Sequence, residues 1–149
     1  NIWGLTAMGA KVVLCGPATL MPLDVEKMPV TIVKTKEEAA EGADAIMGLR
    51  LQLERQDKGM FPSIREYHAY YGIDQKLLDL AKKDVLVMHP GPINRGAEIA
   101  TNVADGEYSY INEQVTNGVV VRMSVMAYLT GKLDDFMNAE TQKHRVIPL

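Results

Sequence analysis

The residues best suited to chemistry fall in two short segments. The first is Leu49-Arg50-Leu51-Gln52-Leu53-Glu54-Arg55. It follows an apolar run and alternates polar with apolar side chains. If the extended form persists, Arg50, Gln52 and Glu54 point to one side. A guanidinium offers a planar fork that matches a carboxylate or a phosphate. Gln52 adds a neutral donor and acceptor, and Glu54 can hold Arg50 in place as an ion-pair partner. The same pattern also reads as a solvated, mixed-charge loop with an incidental ion pair.

The second segment is Met88-His89-Pro90-Gly91-Pro92-Ile93-Asn94-Arg95-Gly96. Proline has no N–H, so Pro90 and Pro92 present carbonyls without competing donors. Gly91 lets a ligand approach the main chain. Together they suit the capture of an amide or amine by backbone oxygens. A rigid turn that merely redirects the chain is the plainer reading, and Pro-Gly-Pro alone favours it. His89 alone reads as a packed, hydrogen-bonded histidine. The three histidines lack ligand spacing and Cys15 is the sole cysteine, so neither a metal site nor an intrachain disulfide is expected. No nucleotide-binding glycine motif and no serine nucleophile elbow occur.

Both segments leave apolar runs of strand length. Lys11 to Cys15, Val30 to Lys34, Ala45 to Leu49 and Asp84 to Met88 read as buried parallel strands. Helices are expected between them. Thr35 with Glu38, and Ser63 with Glu66, are capping boxes, and Asp74 is a further N-cap. A last helix spans about Ile111 to Leu129 and is apolar nearly all round in its middle, which predicts burial. Arg122 on it reads as a snorkelling side chain or as half of an ion pair across a boundary. Alternation of strand and helix predicts an α/β fold: a three-layer, Rossmann-like parallel sheet with helices on both faces. Ligands of such sheets gather at the C-terminal ends of strands, where both segments lie.

With 149 residues, one domain with a sizeable core is expected. The balance of 47% hydrophobic and 23% charged residues is that of a soluble globular chain. A formal charge of −3 gives no footing for nucleic acid, and no apolar stretch suggests a membrane span. Cys15 reads as a small buried hydrophobe in a reducing, cytoplasmic setting. The opening at Asn1, straight into the helical pattern Ile2 to Gly9, suggests a piece of a longer chain.

Three segments in order resemble aspartate carbamoyltransferase: Leu49 to Arg55, Met88 to Gly96 with Glu98-Ile99, and Gln114 to Met123. The resemblance covers about residues 1–130, the aspartate-binding domain without its first strand, and leaves the tail 131–149 unassigned. It implies carbamoyl transfer from carbamoyl phosphate to the amine of L-aspartate, without cofactor. It implies that Arg50 and Gln52 grip aspartate, that Glu54 orients Arg50, and that Arg55 and Arg95 serve orientation or domain closure. Pro90, Gly91 and Pro92 would hold the carbamoyl amide and the amine, and Gln56 to about Tyr70 would move on binding. It further implies a partner N-terminal domain packed on the last helix, a homotrimer of full catalytic chains, and a possible regulatory or dihydroorotase partner. The phosphate-binding Ser-Thr-Arg-Thr loop of that family is absent, so these residues alone are expected to be inactive. Ornithine carbamoyltransferase is the nearest rival. Its His-Cys-Leu-Pro and Ser-Met-Gly segments stand here as His-Pro-Gly-Pro and Arg-Leu-Gln, and an arginine suits a second carboxylate. A non-catalytic module binding an anion or partner is the remaining alternative.

Overall fold

The computed structural model describes residues 1–52, 63–135 and 137–138. Four short strands form where the apolar runs lie: β1 (Val13–Leu14), β2 (Thr31–Ile32), β3 (Ala45–Met47) and β4 (Leu86–Met88). β1 pairs in parallel with β2, Val13 opposite Thr31, and β3 pairs in parallel with β4, Ile46 opposite Val87. Parallel neighbours need a crossover. α2 (Lys36–Ala40) lies in the chain between β2 and β3; α3 (Ile64–Tyr71) and α4 (Gln75–Leu78) lie between β3 and β4. The α/β, Rossmann-like reading holds. One difference stands out: the strands form two separate pairs rather than one continuous sheet.

The helix starts are those expected. Thr35 Oγ accepts from the Glu38 N–H at 3.2 Å, Ser63 Oγ from the Glu66 N–H at 3.1 Å, and Asp74 Oδ1 from the Leu77 N–H at 2.9 Å. Each side chain satisfies a donor that the first helical turn leaves without a carbonyl. Asp74 does a second task. Its Oδ2 lies 3.1 Å from Lys36 Nζ, which also donates to the Gly72 carbonyl at 2.9 Å. Lys36 is buried, and these two oxygens are what make that tolerable. Burial works against ionisation of Asp74, but the Leu77 N–H and the Lys36 ammonium outweigh it and hold the carboxyl below its ordinary value. The contribution is therefore present above about pH 4 and lost as the pH falls further. Asp74→Ala is expected to cost about 2–3 kcal/mol, as a lost cap plus a stranded ammonium. Urea unfolding at pH 7 measures it, and a change under 0.5 kcal/mol, roughly that of an ordinary surface substitution, would refute it.

By contacts the chain divides into residues 1–111 and 112–149. The first unit holds the core, where Ile73, Leu77, Val85, Val87, Ile99 and Val103 are buried together. α5 (Thr101–Ala104) contributes Val103 and Ala104, and Ile111 closes the cluster. α1 (Ile2–Ala7) opens the chain and buries none of its residues. Cys15, expected to be buried, is only half-buried, because it sits at the open end of β1.

The second unit is mostly α6 (Ile111–Leu129), with the bounds the sequence suggests. Gly131, at φ +69°, takes the left-handed turn that ends it. Val119 and Val125 are each 50% exposed and Met126 is 68% exposed, and Arg122 is exposed too. No helix among the described residues is long and apolar enough to cross a membrane.

Candidate functional site

Arg50 and Gln52 leave β3 as anticipated and line a cavity of about 690 Å³. Its wall includes β1 from Val13 to Cys15, β3 from Ala45 to Met47, and the side chains of Lys36, Tyr67 and Glu98. Arg50 is half-buried and Gln52 exposed, while Leu51 between them is 3% exposed and anchors the strand end. That alternation is what an extended exit from a buried strand produces. Glu54 and Arg55 lie outside the described residues, as does the loop from Gln56 to Pro62. The remainder of the stretch assigned to a moving loop, from Ile64 on, is helix α3.

The second segment leaves β4 and turns back on itself. Pro90 and Pro92 are exposed, and Gly91 between them has φ +67°. Only glycine adopts that conformation without strain. The chain then folds over a tight turn. The Asn94 carbonyl accepts from the Ala97 N–H at 3.0 Å, and the Gly96 N–H donates to the Ile99 carbonyl at 2.8 Å. Glu98 and Ala100 then bracket Ile73 with main-chain bonds of 3.0 and 2.9 Å. His68 on α3 donates from Nδ1 to the Ala97 carbonyl at 2.8 Å, since a carbonyl can only accept.

Arg95 has a definite partner. Its two terminal nitrogens meet the two carboxylate oxygens of Asp105 at 2.7 and 2.8 Å. This two-pronged pair ties the turn to the end of α5. Both side chains are well exposed, so its contribution to stability is small.

Three residues that sequence reasoning did not place in the site join the two segments. The Asn94 side chain donates to the Leu51 carbonyl at 2.8 Å, and its own N–H donates to Glu98 Oε1 at 2.6 Å. His89 Nε2 lies 3.3 Å from the same Glu98 oxygen, a close polar contact rather than an aligned hydrogen bond. On the other edge of the ring, His89 Nδ1 accepts from the Gly91 N–H at 2.9 Å. His89 is fully buried and Glu98 is 2% exposed. Gly48, two residues before Arg50, packs on the same ring, and a Cβ there would come within 3.2 Å of His89 Cδ2. Within the sequence, the one available signal was the invitation to burial: a histidine at the end of an apolar strand and a glutamate before Ile99.

The tautomer follows from the contacts. A nitrogen that accepts from Gly91 carries no proton, so the ring is neutral with hydrogen on Nε2. Burial pushes the His89 value below its ordinary 6.5, against the pull of Glu98. Unfolded chain therefore takes up the proton first as pH falls below about 6.5, and stability is lost in that direction. Glu98 is the charged group facing the ring, and Tyr67, pushed up to about 12 by burial and then by Glu98, stays neutral beside it. Denaturant midpoints between pH 7 and pH 5 are expected to fall more steeply for the native chain than for His89→Gln. Parallel slopes would show that His89 does not titrate in this way.

The chain is similar to several known proteins. The domain family described as "Aspartate/ornithine carbamoyltransferase, Asp/Orn binding domain" matches residues 2–129. The chain is 58% identical over 130 residues to the aspartate carbamoyltransferase catalytic subunit of Ruminiclostridium cellulolyticum, covering 87% of this chain and 42% of that protein. It is 59% identical over 131 residues to the subunit of the same name from Desulforamulus reducens, covering 88% and 42%. The chain thus spans about 42% of the length of these relatives. Among solved structures, ornithine carbamoyltransferase from Burkholderia thailandensis superposes with a TM-score of 0.69 at 23% identity, over 86% of this chain and 41% of that one. Aspartate transcarbamoylase from Trypanosoma cruzi, solved with carbamoyl aspartate and phosphate, superposes with a TM-score of 0.60 at 28% identity, over 77% and 39%. A family match across nearly the whole described chain, on the fold and strand ends just described, is decisive: the chain belongs to the aspartate/ornithine carbamoyltransferases, as their aspartate/ornithine-binding domain.

Proposed function

We propose that this chain is the aspartate-binding half of an enzyme that transfers the carbamoyl group of carbamoyl phosphate to the amine of L-aspartate. Arg50, with Gln52 beside it, grips a carboxylate of aspartate. Pro90, Gly91 and Pro92 offer main-chain oxygens to the carbamoyl amide and to the incoming amine. The amine nitrogen forms a bond to the carbamoyl carbon, the carbon–oxygen bond to phosphate breaks, and the amine releases a proton. Such a reaction gains most from orientation and from fixed charges around the tetrahedral transition state. The observation that carries this reading is the bond from the Asn94 side chain to the Leu51 carbonyl, which supports treating the two segments as parts of one site. The names of the relatives above 50% identity favour aspartate over ornithine.

The domain is residues 1–130, with 131–149 a tail of its own. Its sheet takes one more parallel strand, between β1 and β3. β1 and β3, one strand of each pair, both line the same cavity, which supports this reading. The exposed apolar side chains of α6 suit a domain that carries the phosphate site, in keeping with the 42% coverage of the relatives. The complete chains form a trimer in the cytoplasm, and Glu54, Arg55 and Arg95 serve orientation and closure between domains.

Assay of the complete chain with carbamoyl phosphate tests the proposal. Carbamoyl aspartate is expected from aspartate, with no product from ornithine, and the 149 residues alone are expected to yield none. Turnover of ornithine in place of aspartate would sink the assignment. Failure of the complete chain to bind a bisubstrate analogue in calorimetry would favour a non-catalytic module.

A further inference from the structure

We propose that Asn94 is a positioning residue that sets the aspartate grip, by fixing the main chain between Arg50 and Gln52 and locking it to the Pro90-Gly91-Pro92 platform. The inference rests on the transferase reading above and adds a residue to it. Leu51 is the only residue between Arg50 and Gln52, so a bond to its carbonyl fixes the peptide plane from which Gln52 departs. The direction of the Arg50 side chain is set from the same extended stretch. Leu51 is buried on its side-chain face, which leaves rotation about the strand axis as the freedom to be removed, and a 2.8 Å bond to Asn94 removes it.

Asn94 is itself held firmly. Its N–H donates to a buried carboxylate at 2.6 Å, a charge-assisted bond of the stronger kind. That carboxylate oxygen also faces His89, whose other ring nitrogen holds the Gly91 N–H. The order of contacts is therefore Leu51, Asn94, Glu98, His89, Gly91. It starts at the guanidinium-bearing strand end and finishes inside the carbonyl platform. Gly48 packs on the His89 ring at the base of the first segment, so the path also closes on that side. A displacement of either segment strains the same set of buried bonds. The two halves of the site are thereby placed relative to each other before either ligand arrives, which is where orientation lowers a barrier most.

The test uses the complete catalytic chain, with steady-state kinetics in both substrates and thermal melting alongside. Asn94→Ala is expected to raise the aspartate KM about tenfold, with carbamoyl phosphate affinity changed less than about twofold. Glu98→Ala is expected to raise the aspartate KM in the same way. Glu98→Gln keeps an oxygen for the Asn94 N–H and is expected to restore most of the loss. The double variant Asn94→Ala with Glu98→Ala is expected to be no worse than about the larger single change, because both loosen one tie. An unchanged aspartate KM in Asn94→Ala overturns the proposal. So does a fully multiplicative double variant, or an equal fall in affinity for both substrates, which would mark a general structural defect. The unsubstituted chain runs in parallel: if it fails to carbamoylate aspartate, the transferase reading falls along with this one, whereas normal turnover with an indifferent Asn94 removes only the role of Asn94.

Discussion

Replacing Arg50 by alanine in the complete chain is expected to lower kcat/KM for aspartate by about 10²–10³-fold, the loss that follows when a hydrogen-bonded charge partner is removed from a partly buried site. Arg50 is half-buried on the wall of the cavity, on a strand end anchored by a residue 3% exposed. Its charge therefore works in surroundings less screened than open water. The effect is expected in the aspartate terms of the rate law, with carbamoyl phosphate binding intact. Arg50→Lys is expected to recover little, because an ammonium cannot reproduce the planar two-pronged geometry that a carboxylate fills. Initial-rate measurements across both substrate concentrations check this. A variant with near-native aspartate kinetics would remove Arg50 from the site, and equal losses for both substrates would point to misfolding.

Replacing Ile99 by alanine is expected to destabilise the first unit by about 2–5 kcal/mol, a large share of the total stability of a domain of this size. Ile99 has no exposed surface and sits in the cluster with Ile73, Val87 and Val103. It is also the residue to which the turn of the second segment returns, since its carbonyl receives the Gly96 N–H. The cavity left by three missing carbons would open within that cluster. Ile99→Val, which removes one methyl group, is expected to cost about 0.5–1.5 kcal/mol. Urea midpoints for the two variants give the comparison, and an alanine variant as stable as the valine variant would show that the site collapses to fill the gap.

Much of the scaffold was legible because its signals are local. Four apolar runs became four strands, and Thr35, Ser63 and Asp74 cap the helices they were expected to cap. Capping depends on residues three positions apart, and strand position on a run of four or five, so a short window contains the cause; burial is another matter, because both residues of β2 are exposed and only Val87 of β4 is buried. The contacts that assemble the site are not local. Asn94 and Leu51 stand 43 positions apart, and nothing in either neighbourhood names the other. The Arg95 guanidinium, expected to serve orientation or closure, meets Asp105 ten residues on, one of several carboxylates within reach of a long side chain. Apolar content in α6 indicated a need for cover, but composition does not say which surface provides it. The sorting of strands into two pairs was likewise hidden, because an apolar run records that a strand will form and not beside which neighbour.

That sorting has a practical side. Among the described residues β1 pairs only with β2 and β3 only with β4, so each offers a free row of N–H and C=O groups to the space between. Inner strand edges lack the charges and prolines with which natural outer edges discourage self-association. Val13-Leu14 and Ala45-Ile46-Met47 are apolar and carry neither. Edges of this kind pair readily with a further extended strand. Self-association that rises with concentration is therefore expected of these 149 residues, light scattering measures it, and a monomer at every concentration would show that the two edges are covered.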